Sequence, residues 1–184
     1  MRDTLLVVDV QNDFLDGGKL PIEGADENFL ERIEKIIPLF KKVIFTADAH
    51  PKNHCSFKEI GEHCVVGTDG AEIPINSSDT SILLNKGEQA TEDELSAFKD
   101  GKNIEELEGD IYVLGLVGEY DVKQTILDLV EFYDKGKIYA ITDLIKSLYK
   151  GVYGSGVFNI DYFNGRVNFV DTNKLLVEQE LTEI

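Results

Sequence analysis

Positive charge is what this sequence has least of. Eighteen lysines and arginines face 35 aspartates and glutamates, a formal net charge of −17 with a pI near 4.4. Such a field repels phosphate backbones and anionic headgroups, which argues against a nucleic-acid or membrane-surface partner. Long apolar runs are also missing, and none approaches the ~20 residues that span a bilayer. There are only two cysteines, and no secretion signal is read ahead of Leu5-Leu6-Val7-Val8, so a reducing, cytoplasmic setting is expected. No repeat, low-complexity tract or linker interrupts the 184 residues, so residues 1–184 are expected to form a single domain. That length buries a sizeable core without disulfides or structural metals.

What is present alternates between two patterns. Residues 4–10 (TLLVVDV), 43–46, 81–84, 110–116 and 137–142 are short apolar runs, the mark of strands covered on both faces. Helical spacing separates them over 26–40 and 119–134, and a short helix is expected around 92–99. The tail over 155–170 alternates around Asn164-Gly165, which predicts a C-terminal hairpin. Strands alternating with helices predict an α/β fold with a parallel sheet. Ligands bind such sheets at the carboxyl ends of the strands. That rule makes neighbours of Asp9, Asp48, Lys86 and the turn from Val117 to Asp121.

Each of these residues also has an ordinary reading. An isolated Asp9 at a strand end is usually a loop cap, and Lys86 alone would be a surface lysine. Together in one crevice, a carboxylate and an ammonium form a proton-handling pair. The stretch from 49 to 80 has no clear period and holds all three histidines and both cysteines. Asp48 and His50, with His54 and His63 further on, supply the donors a divalent ion such as zinc takes while leaving positions open. A Cys₂His₂ site using Cys55 and Cys64 lacks the tight cysteine pair, and loop-capping histidines are the plainer alternative.

The motifs LLVVDVQNDFLDGGKLPI (5–22), TADAHPKNHCSF (46–57), HCVVGTDGAEI (63–73), NKG (85–87), LSAF (95–98) and LGLVGEYDVKQTILD (114–128) stand in order. Together they resemble the nicotinamidase/isochorismatase-like cysteine hydrolases, and the metal-loop motifs at 48–80 resemble the nicotinamidase branch. The resemblance implies a three-layer α-β-α fold whose six-stranded sheet has the order 3-2-1-4-5-6. It implies that Asp9 accepts a proton and that Lys86 stabilises charged intermediates. Asp48, His50 and His63 would hold one divalent ion, zinc first with manganese or iron as alternatives, and His54 matches a ligand that some members use. Phe14 would stack on a pyridine ring. Val117, after a non-proline cis peptide, would offer an oxyanion-hole amide. The implied reaction converts nicotinamide to nicotinate and ammonia, and the implied partners are a small amide or pyridine ligand and further copies in a homo-oligomer.

The sequence departs from the family at the nucleophile turn. Members read roughly G-L-A-T-D-Y-C-V there, whereas this chain reads G-L-V-G-E-Y-D-V over 115–122, with Asp121 in the cysteine's place. Ile60 stands where a tryptophan is common, and Leu95 replaces a tyrosine. A carboxylate is a poor nucleophile toward an amide, and its charge opposes a developing oxyanion. Three readings follow: an impaired nicotinamidase-like amidohydrolase, an isochorismatase-like vinyl-ether hydrolase, or a metal-bearing binding protein without turnover.

Overall fold

The computed structural model describes residues 1–76, 81–149, 151–152, 158, 163 and 165–182, with side chains to 179. Strands β1 (Arg2–Val8), β2 (Phe40–Asp48), β3 (Ile82–Lys86), β4 (Ile111–Gly115), β5 (Ile138–Ile145) and β6 (Val167–Val170) form one sheet of order β3-β2-β1-β4-β5-β6. All five strand pairs are parallel. This is the strand order that the sequence motifs imply.

Side-chain alternation along β1 builds the two outer layers. Leu5 and Val7 pack with Phe29, Ile33 and Ile36 of α1 (Glu27–Ile36) and with Leu175 of α4 (Thr172–Thr182). Leu6 and Val8 point the other way, onto Ile126 and Leu129 of α3 (Lys123–Phe132). Because β1 is central, it is buried on both faces and reads as a continuous apolar run. No helix among the described residues is long and apolar enough to cross a membrane.

Several boundaries differ from those expected. Helix α1 starts where the Asp26 carboxylate accepts the Phe29 amide at 2.9 Å, and it stops before Pro38, so Phe40 opens β2 rather than closing a helix. Asp48 and Lys86 are the last residues of their strands, and β5 runs on through Asp143 to Ile145. The helix expected at 92–99 does not form. The Glu92 carbonyl accepts from His54 instead of a helical amide, and only 3₁₀ turns follow at Lys99–Gly101 and Ile104–Glu106. Val167–Val170, the second arm of the expected hairpin, joins the sheet parallel to β5. Of its first arm, 157–163, only Phe158 and Phe163 lie within the described residues.

Candidate active site

Four side chains from four elements meet at the carboxyl ends of the central strands. Asp9 follows β1 directly in a left-handed conformation, with φ of 52°. Its Oδ1 accepts from Thr46 Oγ1 at 2.7 Å, and its Oδ2 lies 2.8 Å from Lys86 Nζ. That second approach is an ion pair without hydrogen-bond alignment, so Asp9 Oδ2 is buried with no aligned donor. Lys86 Nζ also reaches Asp48 Oδ1 at 2.6 Å and Asp121 Oδ1 at 3.1 Å, and the lysine is 1% exposed. One buried ammonium thus serves three buried carboxylates.

The electrostatics follow from that count. Burial pushes Asp9 up to about 8, although Lys86 pulls the other way. Burial also raises Asp121 against the pull of Lys86. For Asp48 burial works upward too, but Lys86 and His50 outweigh it and hold the carboxylate below its usual range. Burial alone would lower Lys86, but Asp121, Asp48 and Asp9 hold its ammonium well above the ordinary lysine value.

Asp121 sits in a π-helical turn, Gly118–Val122, that leads into α3. The turn begins at a cis peptide between Leu116 and Val117 and is tied to β5 by the Gly118 amide on the Lys146 carbonyl at 2.8 Å. Gly115 precedes it at φ of 128°, and a Cβ there would lie 2.0 Å from the Val8 carbonyl oxygen, so a side chain does not fit. The Val117 amide donates to Asp121 Oδ2 at 3.4 Å. The carboxylate therefore lies against the amide to which the resemblance gives an oxyanion-hole role.

A donor set suited to a metal ion adjoins this cluster. Ligand atoms of Asp48, His50 and His63 all lie within 4.8 Å of one another. His50 Nδ1 is 3.0 Å from the Gly87 carbonyl and His63 Nδ1 is 2.8 Å from the Gly61 carbonyl. Each backbone oxygen fixes the proton on Nδ1 and frees Nε2 as a ligand. His50 Nε2 lies 3.5 Å from Asp48 Oδ2, the oxygen that Lys86 does not hold. The residues therefore fit a divalent ion of the zinc type. His54 is outside this trio, although with His50 and Asp93 it forms a second group of donor atoms within 4.8 Å of one another. It stacks on His50 with ring centroids 3.8 Å apart, while its nitrogens engage Ser56 Oγ and the Glu92 carbonyl.

Beside these groups lies a cavity of about 240 Å³. Phe14, Ile60, Leu95 and Val117 all line it, as do Asp48, His63 and Asp121. Neither Cys55 nor Cys64 does. Burial drives the Cys64 thiol far above its ordinary value, so it is not a reactive thiolate. Another cavity beside β3, about 520 Å³, shares only Asp48 with the polar cluster.

Two residues that hold the site together were missed in the sequence. Gln11 clamps the Asp48 backbone, accepting its amide and donating to its carbonyl at 2.8 Å each. Asp13 accepts the Cys64 amide at 2.7 Å and so anchors the segment carrying His63. Both belong to the QNDF stretch, but nothing in its residue types reveals partners 37 and 51 residues away.

The isochorismatase domain model matches residues 3–136, and the chain belongs to that family. The nicotinamidase of Acinetobacter baylyi is 29% identical over 156 residues, covering 67% of this chain and 72% of that protein. Among solved structures, a zinc complex of the pyrazinamidase of Pyrococcus horikoshii is 25% identical with a TM-score of 0.81, covering 93% of this chain and 99% of that one. A nicotinamidase/pyrazinamidase of Acinetobacter baumannii is also 25% identical with a TM-score of 0.81, covering 95% and 98%.

Proposed function

We propose that the chain is a nicotinamidase-like amidohydrolase that binds one divalent ion, zinc first, and a small aromatic amide, and that hydrolyses this amide slowly. We further propose that residues 1–184 act as one domain and that Asp121 replaces the nucleophilic cysteine of the family. The observation that carries this reading is the position of Asp121, on Lys86 and against the Val117 amide at the cavity wall. The resemblance to amide-cleaving relatives supports the substrate class, and the zinc-bound neighbour supports the metal.

In this reading Asp48, His50 and His63 hold the ion, which supplies Lewis-acid polarisation of a bound ligand. Phe14 and Leu95 flank the ring. Without a thiol, water must attack the carbonyl carbon directly. A carboxylate of the Asp9–Asp121 pair takes the water's proton and returns it to the departing nitrogen as the C–N bond breaks. Asp9, raised to about 8, is a stronger base than an ordinary aspartate once ionised. The cost falls on the oxyanion, because Asp121 already occupies the Val117 amide and adds negative charge beside it.

The test is ammonia release from nicotinamide by the zinc- or manganese-loaded chain beside Asp121→Cys. The expected rate for the unaltered chain is well below about 1 s⁻¹, the low end of ordinary turnover. The cysteine variant should gain ~100-fold or more. Ordinary turnover without the thiol would overturn the slow-hydrolase reading. Silence from both proteins would leave a binding protein in its place.

A further inference from the structure

We infer that the substrate of this cavity is a carboxamide with an uncharged apolar substituent, which emerges onto a collar formed by Ile60, Tyr120 and Leu148. The inference deepens the proposed amide-site reading and rests on it for the carboxamide. The collar itself is argued from exposure and anchoring. Ile60 is 50% exposed, Tyr120 41% and Leu148 42%, and all three line the cavity that also meets Asp48, His63 and Asp121. A single exposed apolar side chain is ordinary on a protein surface. Three on the lining of a candidate active site form a patch that a ligand can cover.

The lining divides by depth and polarity. Its buried part holds the polar groups of Asp48, His63 and Asp121 beside Phe14 and Val117, and its exposed part holds the collar. At about 240 Å³, the space falls below the roughly 300–1,000 Å³ of pockets that enclose drug-sized ligands. A ring with its carboxamide suits that size. Any longer ligand must pass its remaining atoms out across the collar, where apolar atoms bury apolar surface and polar ones lose water. Glu59 and Asp93 are exposed on the same lining and oppose an anionic substituent.

The collar is anchored by the turn that carries Asp121. One oxygen of the Glu119 carboxylate accepts the Leu148 amide at 3.1 Å, and the other accepts from Ser147 Oγ. Tyr120, next in the chain, brings its hydroxyl within 3.5 Å of the Tyr149 hydroxyl. The π-helical turn Gly118–Val122 thus sets Asp121 on the polar cluster and ties the segment after β5 to the opening. Ile60 comes from the other side of the sequence, as the last residue of the short helix Phe57–Ile60. Side chains already anchored lose less freedom when a ligand covers them, which favours binding.

The experiment is calorimetric titration of the zinc-loaded full chain with four probes. These are benzamide, 3-butylbenzamide, its ether isostere 3-(2-methoxyethyl)benzamide, and 3-butylbenzyl alcohol, which lacks the carboxamide. The butyl amide should bind at least about tenfold tighter than benzamide, the gain that two newly buried methylenes supply, and should also lead the more polar ether. Ile60→Ser with Leu148→Ser should cut that lead several-fold. Equal affinity of the butyl amide and benzamide would overturn the collar inference and leave the amide-site reading standing. A lead that survives both substitutions would overturn it as well, by placing the substituent elsewhere. Sedimentation velocity adds a separate check: a dimer that the double variant dissociates would give the collar to a second copy and sink the inference. If the butyl alcohol matched the butyl amide and both needed the collar, the collar would stand and the amide reading would fall. No binding by any probe would overturn both.

Discussion

Lys86 is the residue on which the cluster's stability depends. Three buried carboxylates converge on its ammonium, and deleting one partner of a buried ion pair commonly costs about 3–5 kcal/mol. Lys86→Met should therefore lower the urea midpoint sharply, while Asp121→Asn, which removes one like charge, should raise it. Asp9 adds a pH dependence of definite sign. Its pKa is raised to about 8 in the fold, above the value of about 4 for an unfolded aspartate. The folded state therefore holds the proton more tightly across that window. The stability this confers is complete below about pH 4 and is lost as pH rises through about 8. Urea midpoints of the metal-free protein between pH 5 and 9 should fall with pH, and Asp9→Asn should flatten the fall. An unchanged slope in that variant would place the titration elsewhere.

At the scale of elements, the site depends on turns that present strand-end side chains at fixed angles. Gly87, next after β3, has φ of 65°, and a Cβ there would come within 2.5 Å of the His50 ring. The Gly87 carbonyl also holds His50 Nδ1. Gly87→Ala should therefore displace the imidazole and weaken zinc binding ~10–100-fold, the usual range for disturbing a ligand's supporting hydrogen bond. Competition with a chromophoric chelator would measure it, and unchanged affinity would show that the loop relaxes freely. The sequence makes the strand ends legible because the apolar runs stop at or just before Asp9, Asp48 and Lys86, although β3 is an edge strand with Leu83 56% exposed rather than one covered on both faces. It makes other elements illegible for physical reasons. Residues 172–182 carry no clean apolar stripe, so α4 leaves no helical signature. Residues 92–99 look helical locally, but the backbone of Glu92 is committed to His54. His54 itself has the spacing of a ligand, and only three-dimensional placement shows its nitrogens engaged with Ser56 and Glu92.

Charge acts on the molecule as a whole. A chain with net charge −17 repels itself when compact, and salt screens that repulsion within a Debye length of about 10 Å at 0.1 M. The urea midpoint should thus rise between about 10 and 200 mM sodium chloride, whereas stability owed to surface ion pairs would fall. A bound divalent cation acts in the same direction through a single locus. It brings two positive charges to the side of the sheet where Asp9, Asp48 and Asp121 gather, and the unfolded chain has no such preformed donor set. By linkage, an ion at a hundred times its dissociation constant adds about 2.7 kcal/mol to folding stability. Zinc should raise the thermal midpoint at fixed ionic strength, and a chelator should return it to the starting value. His63→Ala should abolish the rise, because it removes one of the two imidazoles whose Nδ1 is fixed by a backbone carbonyl. Replacing His54, whose nitrogens are already engaged, should leave most of it. If both variants lost the rise equally, zinc would be held by all three histidines, and the loop would have to rearrange on binding to free His54 from Ser56 or Glu92.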